Sequence, residues 1–270
     1  MSDLAIPWWH DLTRTGAAAA GARDPVVVLP VAAVEQHGPH LPLSTDADIG
    51  MGLLRTALSE MSGEPEVFVL PMLAVGTSDE HGDGAGTLSL PPSVLEETVV
   101  ALGVSLARAG VRRLVLSNSH GGNRAALDLA ALRLRREWGL LVVKAHWFRF
   151  PRPPWVALPE GEWDHGLHGG AVETAMMLHL RPDAVDVDAV ADFPSLGQEL
   201  EGEGSILRPE GHASFAWMAR DLNPAGVTGD ATLADATMGE RLLAHYGGVL
   251  ARVLMDAARF PLDRLVDPAG

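Results

Sequence analysis

Glu35, His37 and Asp46 fall within the stretch EQHGPHLPLSTDAD, residues 35 to 48, which directly follows the apolar run VVVLPVAAV. Carboxylate and imidazole donors in this pattern suit zinc, manganese or iron(II), and an Asp can bridge two such ions. If strand geometry persists to residue 37, Glu35 and His37 project to the same side. Capping and turn formation would account for these residues equally well if they stood alone. They do not. LVLSNSHGGNRAALDLAALRLRREW runs from an apolar strand through Asn118, His120, Gly121, Gly122 and Asn123 into an amphipathic helix, and so delivers His120 to the same sheet edge as Glu35. The glycines permit close backbone approach and Asn123 can cap the helix, but His120 has no such structural explanation. In WDHGLHGGAVETAMML, residues 163 to 178, His168 and Glu173 precede and enter another helix with His165 nearby, and an imidazole beside a carboxylate can carry protons near neutral pH. Glu80 and His81 are open to two readings, pocket lining or solvated loop.

Other chemistries are poorly supported. The chain has no Cys, which excludes disulfides, thiolate nucleophiles and thiolate metal sites, so any metal must sit on His and carboxylate. GDGAGT at 82 to 87 lacks the spacing and Lys of a phosphate loop and reads as a tight turn. No nucleophile elbow occurs, leaving only Ser119 beside His120 for a serine hydrolase, and no H-E-x-x-H occurs.

The elements that must position these groups alternate between strand and helix over 270 residues, 47% of them hydrophobic. Apolar runs predict strands at 26 to 34, 67 to 75, 112 to 117 and 140 to 147, and apolar spacing predicts helices at 46 to 60, 93 to 109 and 123 to 138, with Ser93 as a cap. Later helices are expected at 169 to 180 and 234 to 257. Residues 148 to 166 read as a long loop over the sheet and 182 to 230 as irregular. The expected fold is a single domain over 1–270, a three-layer α/β/α sandwich with a largely parallel sheet. In such sheets ligands sit beyond the carboxyl ends of the strands, where Glu35 and His120 fall. A formal net charge of -15 argues against nucleic acid or an anionic membrane as partner and leaves a small molecule. Without a signal-like N-terminus or a long apolar segment, the expected location is cytoplasmic. Trp147, Trp155, Trp163 and Trp217 could wall a pocket or simply pack.

Four motifs in order, EQHGPHLPLSTD, GTSDEHGDGAGTLSL, SNSHGGN and HGGAVETAMML, resemble the creatininase family of metal-dependent amidohydrolases over residues 23 to 255. The resemblance implies a homohexamer and a two-metal centre in which Glu35 and His120 hold one divalent ion, His37 the other, and Asp46 bridges them. It further implies His168 as proton shuttle and Glu173 as an acidic residue beside the metals. The HGGN form departs from creatininase proper: Gly122 stands where a Glu ligates the second metal, so Glu173 or water must replace it. Gly84 and Ala85 stand where the family often has Phe-Pro. The expected activity is hydrolysis of a C–N amide bond other than an ordinary peptide bond, in a cyclic amide, formamide or similar small molecule, by a hydroxide bridging two zinc, manganese or iron ions. The alternatives are a peptidase trimming a cofactor-precursor peptide, and a metal-binding protein or isomerase without hydrolytic activity.

Overall fold

A computed structural model describes residues 5–61, 65–82 and 84–266. In chain order the elements up to the last sheet strand are α1 (Arg14–Gly21), β1 (Val26–Val31), α2 (Thr45–Glu60), β2 (Val67–Val69), α3 (Pro92–Arg108), β3 (Arg113–Asn118), α4 (Arg124–Trp138) and β4 (Leu141–His146). Then follow α5 (Glu160–His165), α6 (Ala171–Leu180), β5 (Asp192–Phe193), α7 (Leu196–Gly202), α8 (Ala219–Leu222), β6 (Gly229–Asp230) and α9 (Ala236–Arg259). The four main strands form a parallel sheet in the order β2-β1-β3-β4, with Val26 opposite both Val67 and Arg113.

Alternation along the strands separates two cores. Val26, Val28, Val69 and Val115 face α2, α6 and α9, whereas Val27, Leu29, Leu114 and Leu116 face α1, α3 and α4. Strands buried on both faces are written as continuous apolar runs, which is why β1 reads VVVLPV. The expected α/β/α sandwich is therefore the one observed. The chain leaves β1 toward β2 through α2 on one face and leaves β3 toward β4 through α4 on the other. The two exit loops diverge, and a crevice opens between the carboxyl ends of β1 and β3.

Several boundaries differ from the expected ones. Strand β2 keeps only three residues of its apolar run, because Pro71 offers no N–H and the chain regains the sheet at a single bridge, Leu73 to Val31. Strand β1 stops at Val31, so Glu35 and His37 lie on a loop rather than on a persisting strand. Ser93 is not a cap: α3 begins at Pro92, whose fixed φ suits the first helical position. Residues 148 to 166 include α5, and the irregular stretch 182 to 230 contains α7, α8 and the two-residue antiparallel pair β5–β6. A signal for α7 was present, since Ser195 and Gln198 make a reciprocal capping box.

Helix α9 packs along α2 and α6 and fixes α6, which carries Glu173. The approach is close enough that a Cβ on Gly239 would lie 1.9 Å from Ala175 O. Gly239→Ala should therefore destabilise the fold by about 1–3 kcal/mol or more through a backbone clash, read as a lowered urea midpoint with unchanged slope.

Candidate metal centre

The loop after β1 turns back on itself, with Glu35 N donating to Leu43 O, and enters α2 at Thr45. Asp46 thereby sits in the first turn of α2, where the helix dipole favours a carboxylate. His120 follows the end of β3. Glu173 lies in the first turn of α6 and accepts from Gly169 N at 2.7 Å. His168 is held from the other side by Thr228 N, which donates to His168 O at 2.8 Å.

These side chains converge in the crevice. His120 Nδ1 is 3.1 Å from Glu35 Oε1 and 3.7 Å from Asp46 Oδ2. His37 Nε2 is 4.0 Å from Asp46 Oδ2 and 3.9 Å from Glu173 Oε2, and His168 Nδ1 is 3.7 Å from Glu35 Oε1. Three overlapping donor groups result: Glu35–Asp46–His120, His37–Asp46–Glu173 and Glu35–His37–His168. Glu35 and His37 are fully buried and Asp46 is 3% exposed. Even so, both Glu35 oxygens, His37 Nε2 and Asp46 Oδ2 have no hydrogen-bond partner among the described residues. Each unsatisfied buried polar group costs about 1–3 kcal/mol, and more if charged, so four such atoms aimed at one another fit a cation.

The ring tautomers agree with that fit. His37 Nδ1–H donates to Glu35 O (3.1 Å), leaving the Nε2 lone pair to face Asp46 and Glu173. His120 Nε2–H donates to Thr77 O (2.8 Å), turning Nδ1 toward Glu35 and Asp46. His168 Nε2–H donates to Gln36 O (2.8 Å), so the His168 lone pair is on Nδ1 and faces inward. In each case the outward nitrogen is anchored on a backbone carbonyl, an arrangement that orients a metal-binding imidazole.

Burial and mutual charge set the protonation of the metal-free cluster. Burial lowers His37, and burial with nearby His37 lowers His168 to about 4. Burial and Glu35 raise Asp46 well above the usual carboxylate range, and burial raises Glu173 against the opposing pull of His168. Burial would lower His120, but Glu35, Glu80 and Asp46 outweigh it and raise it well above its ordinary value. Burial likewise opposes Glu35, which His120 holds far below the usual range. His120 and Asp46 thus hold their protons more tightly than usual, and a bound cation must compete with those protons. Affinity for divalent ions should rise with pH, and zinc added to metal-free protein in weak buffer should release protons; an apparent binding enthalpy independent of the buffer's ionisation heat would contradict this.

The six residues singled out from the sequence, Glu35, His37, Asp46, His120, His168 and Glu173, are thus brought together. His81, for which the sequence allows two readings, belongs with them. It is buried, its Nε2 lies 3.4 Å from Glu35 Oε1, and burial and His168 lower it to about 3. Gln36, between two candidate ligands, was missed, because a Gln in a loop carries no signal of its own. Asn123 does not cap α4: its Nδ2 donates to Ala32 O and Asn118 Oδ1, while its Oδ1 accepts from Thr77 N, so it ties together the loops after β1, β2 and β3. Ser119 donates to Val31 O at 3.3 Å, which removes the serine-hydrolase reading. His165 pairs with Glu201 at 2.8 Å. Trp147 packs on Tyr246 in the core, Trp155 lies beneath Arg241, Trp163 lies beside Arg152, and Trp217 donates to Pro209 O. The turn expected in GDGAGT is present at Gly84–Thr87, with Gly86 at φ +88°, and Thr87 Oγ1 accepts from Gln36 N; Asp83 lies outside the described residues. No described helix is long and apolar enough to cross a membrane.

Known proteins resemble this chain in sequence and fold. The family model described as creatininase, creatinine amidohydrolase, matches residues 10–254. The mycofactocin precursor peptide peptidase of Mycolicibacterium smegmatis is 34% identical over 226 residues, covering 82% of this chain and 81% of that protein. The creatinine amidohydrolase of Pseudomonas putida is 39% identical over 196 residues, covering 66% and 72%. A solved structure of manganese creatininase superposes with a TM-score of 0.75 at 30% identity, covering 95% of this chain and all of that one. With the match spanning both core faces and every donor in the crevice, the chain belongs to the creatininase family of metal-dependent amidohydrolases.

Proposed function

We propose that this protein hydrolyses the C–N bond of a small amide, such as a cyclic amide or formamide, at a centre of two divalent ions. Glu35, Asp46 and His120 would hold one ion and His37, Asp46 and Glu173 the other. The observation that carries the reading is the convergence of buried, unpartnered donor atoms on a shared Asp46. Glu173 would supply the carboxylate that glycine at position 122 cannot give the second ion. Divalent ions held there polarise a carbonyl and make a bound water acidic enough to ionise near neutrality. Zinc, manganese and iron(II) all suit this nitrogen and oxygen donor set.

The chain's own groups do the rest. Gln36 O fixes the His168 ring, so Nδ1 is the atom that accepts a proton inside the cluster and passes it to the leaving nitrogen. The His168 and Glu173 side chains are 11% and 15% exposed, against 0–5% for those of Glu35, His37, Asp46 and His120. His168 is thus more accessible than those four donors, and would stand next to the leaving group. A second reading, removal of residues from the end of a peptide, is favoured by likeness to relatives named as peptidases. The homohexamer is part of the same proposal, and sedimentation reads it.

The test is product analysis by mass spectrometry after incubating zinc-, manganese- and iron(II)-loaded protein with lactams, formamides and short peptides. Products that have gained one water from a lactam or formamide support the main reading, and trimmed peptides support the second. An isomerised substrate of unchanged mass would overturn both.

A further inference from the structure

The 3-10 turn Asp79–His81 makes two polar contacts to the cluster from outside, and the His81 ring also packs on that of His168 with centroids 4.2 Å apart. His81 Nε2 approaches Glu35 Oε1 to 3.4 Å, and Glu80 Oε1 lies 3.4 Å from His120 Nε2. The two polar targets share one donor group, Glu35–Asp46–His120, although Glu35 also belongs to the group with His37 and His168; no ion pair joins the turn to His37 or Glu173 among the described residues.

Each contact has a local cause. The Gln36 side-chain oxygen accepts from Gly38 N at 3.0 Å, so its two amide hydrogens go to Gly226 O at 2.6 Å and His81 Nδ1 at 2.8 Å. An amide nitrogen only donates, hence His81 Nδ1 is the acceptor and the ring proton sits on Nε2, facing Glu35. Glu80 reaches His120 because residue 122 is glycine: a Cβ there would lie 2.4 Å from Glu80 Oε1 and 2.5 Å from His120 Nε2. The segment around the turn is itself tied down. Ser78 N donates to Ser89 Oγ, Ser89 Oγ donates to Asp79 Oδ1, and Thr77 N is held by Asn123.

We propose that His81 and Glu80 are positioning residues for the Glu35–Asp46–His120 ion alone, so that the segment carrying them sets the affinity of one metal position and not of its neighbour. The proposal rests on the two-ion reading above. A ring N–H beside the buried Glu35 carboxylate offsets part of its charge and restrains its rotation. A carboxylate on the outer side of His120 strengthens Nδ1 as a donor. Partners of this kind are worth about 10–100-fold in metal affinity.

The test uses two single-site backgrounds. Glu173→Gln leaves the Glu35–Asp46–His120 position, and His120→Asn leaves His37–Asp46–Glu173. His81→Leu is introduced into each, and the zinc affinity of purified protein is measured by chelator competition, with melting of the metal-free forms to confirm folding. In the first background affinity should fall about 10–100-fold, and His81→Gln, which restores an N–H near the position of Nε2, should recover most of it. In the second it should not change. Glu80→Gln should repeat the pattern with a smaller loss, and serves if His81→Leu does not fold. Equal losses in both backgrounds, or none in either, overturn the proposal while leaving the two-ion centre intact. Wild-type protein that binds no zinc, manganese or iron(II) overturns the centre itself.

Discussion

Asp46→Asn is expected to empty both metal positions at once, taking metal content from about two ions per chain to near zero and abolishing hydrolysis. The reason is geometric: Asp46 belongs to both the Glu35–Asp46–His120 and the His37–Asp46–Glu173 groups, so no other single change removes a donor from each. The loss should exceed the roughly 100-fold that accompanies removal of an outer partner. Unfolding would not explain it. In the metal-free protein burial and Glu35 raise the Asp46 pKa, and a carboxylate raised in the folded state lowers stability at pH values above its unfolded pKa. Asparagine lifts that penalty, so the metal-free variant should melt at or above the wild type at neutral pH. Zinc should then stabilise only the wild type, by about 2.7 kcal/mol at a free concentration a hundred times Kd. Elemental analysis and melts with and without zinc read both effects. A variant that keeps one tightly bound ion would mean that the two positions do not share Asp46.

The donors that this experiment addresses were legible because of where they fall. Glu35 and His37 follow an apolar strand, His120 follows another, and Asp46 and Glu173 open helices, and the carboxyl edge of a parallel sheet gathers such positions. The sandwich was legible for the same reason, since β1 and β3 are written as strands covered on both sides. What could not be read depends on contacts between segments distant in the chain. Asn123 looked like a cap, yet its side chain is spent on Ala32, Thr77 and Asn118. Gly122 looked like a missing ligand; in the fold its bare Cα makes room for Glu80. His81 stands in a polar turn whose sequence allows pocket lining and solvated loop alike; in the fold Gln36, Glu35 and the His168 ring surround it. The short helices α5 and α7 lack the length to show a period, and β1 ends three residues early because the loop to α2 must turn back at Leu43.

His168→Ala should separate proton transfer from metal binding. His168 belongs to a donor group with Glu35 and His37, so two roles are open to it: ligand or proton carrier. Its surroundings favour the second. Nε2–H is committed to Gln36 O, Nδ1 faces the cluster as a lone pair, and burial beside His37 lowers the ring to about 4, which keeps it neutral near pH 7. The other two donor groups are complete without it. The variant should therefore keep both ions and a near-wild-type KM, while kcat falls by about 10²–10⁴, the usual range for losing a positioned acid–base group. Truncation leaves a space the size of the lost ring against Gln36, so added imidazole should restore part of kcat, and the restoration should saturate. His168→Gln, which can still donate to Gln36 O but cannot take up a proton near neutral pH, should keep the ions and remain slow without imidazole. Loss of an ion in His168→Ala would move His168 into the ligand set, and undiminished turnover on the true substrate would mean that the leaving nitrogen takes its proton from another group.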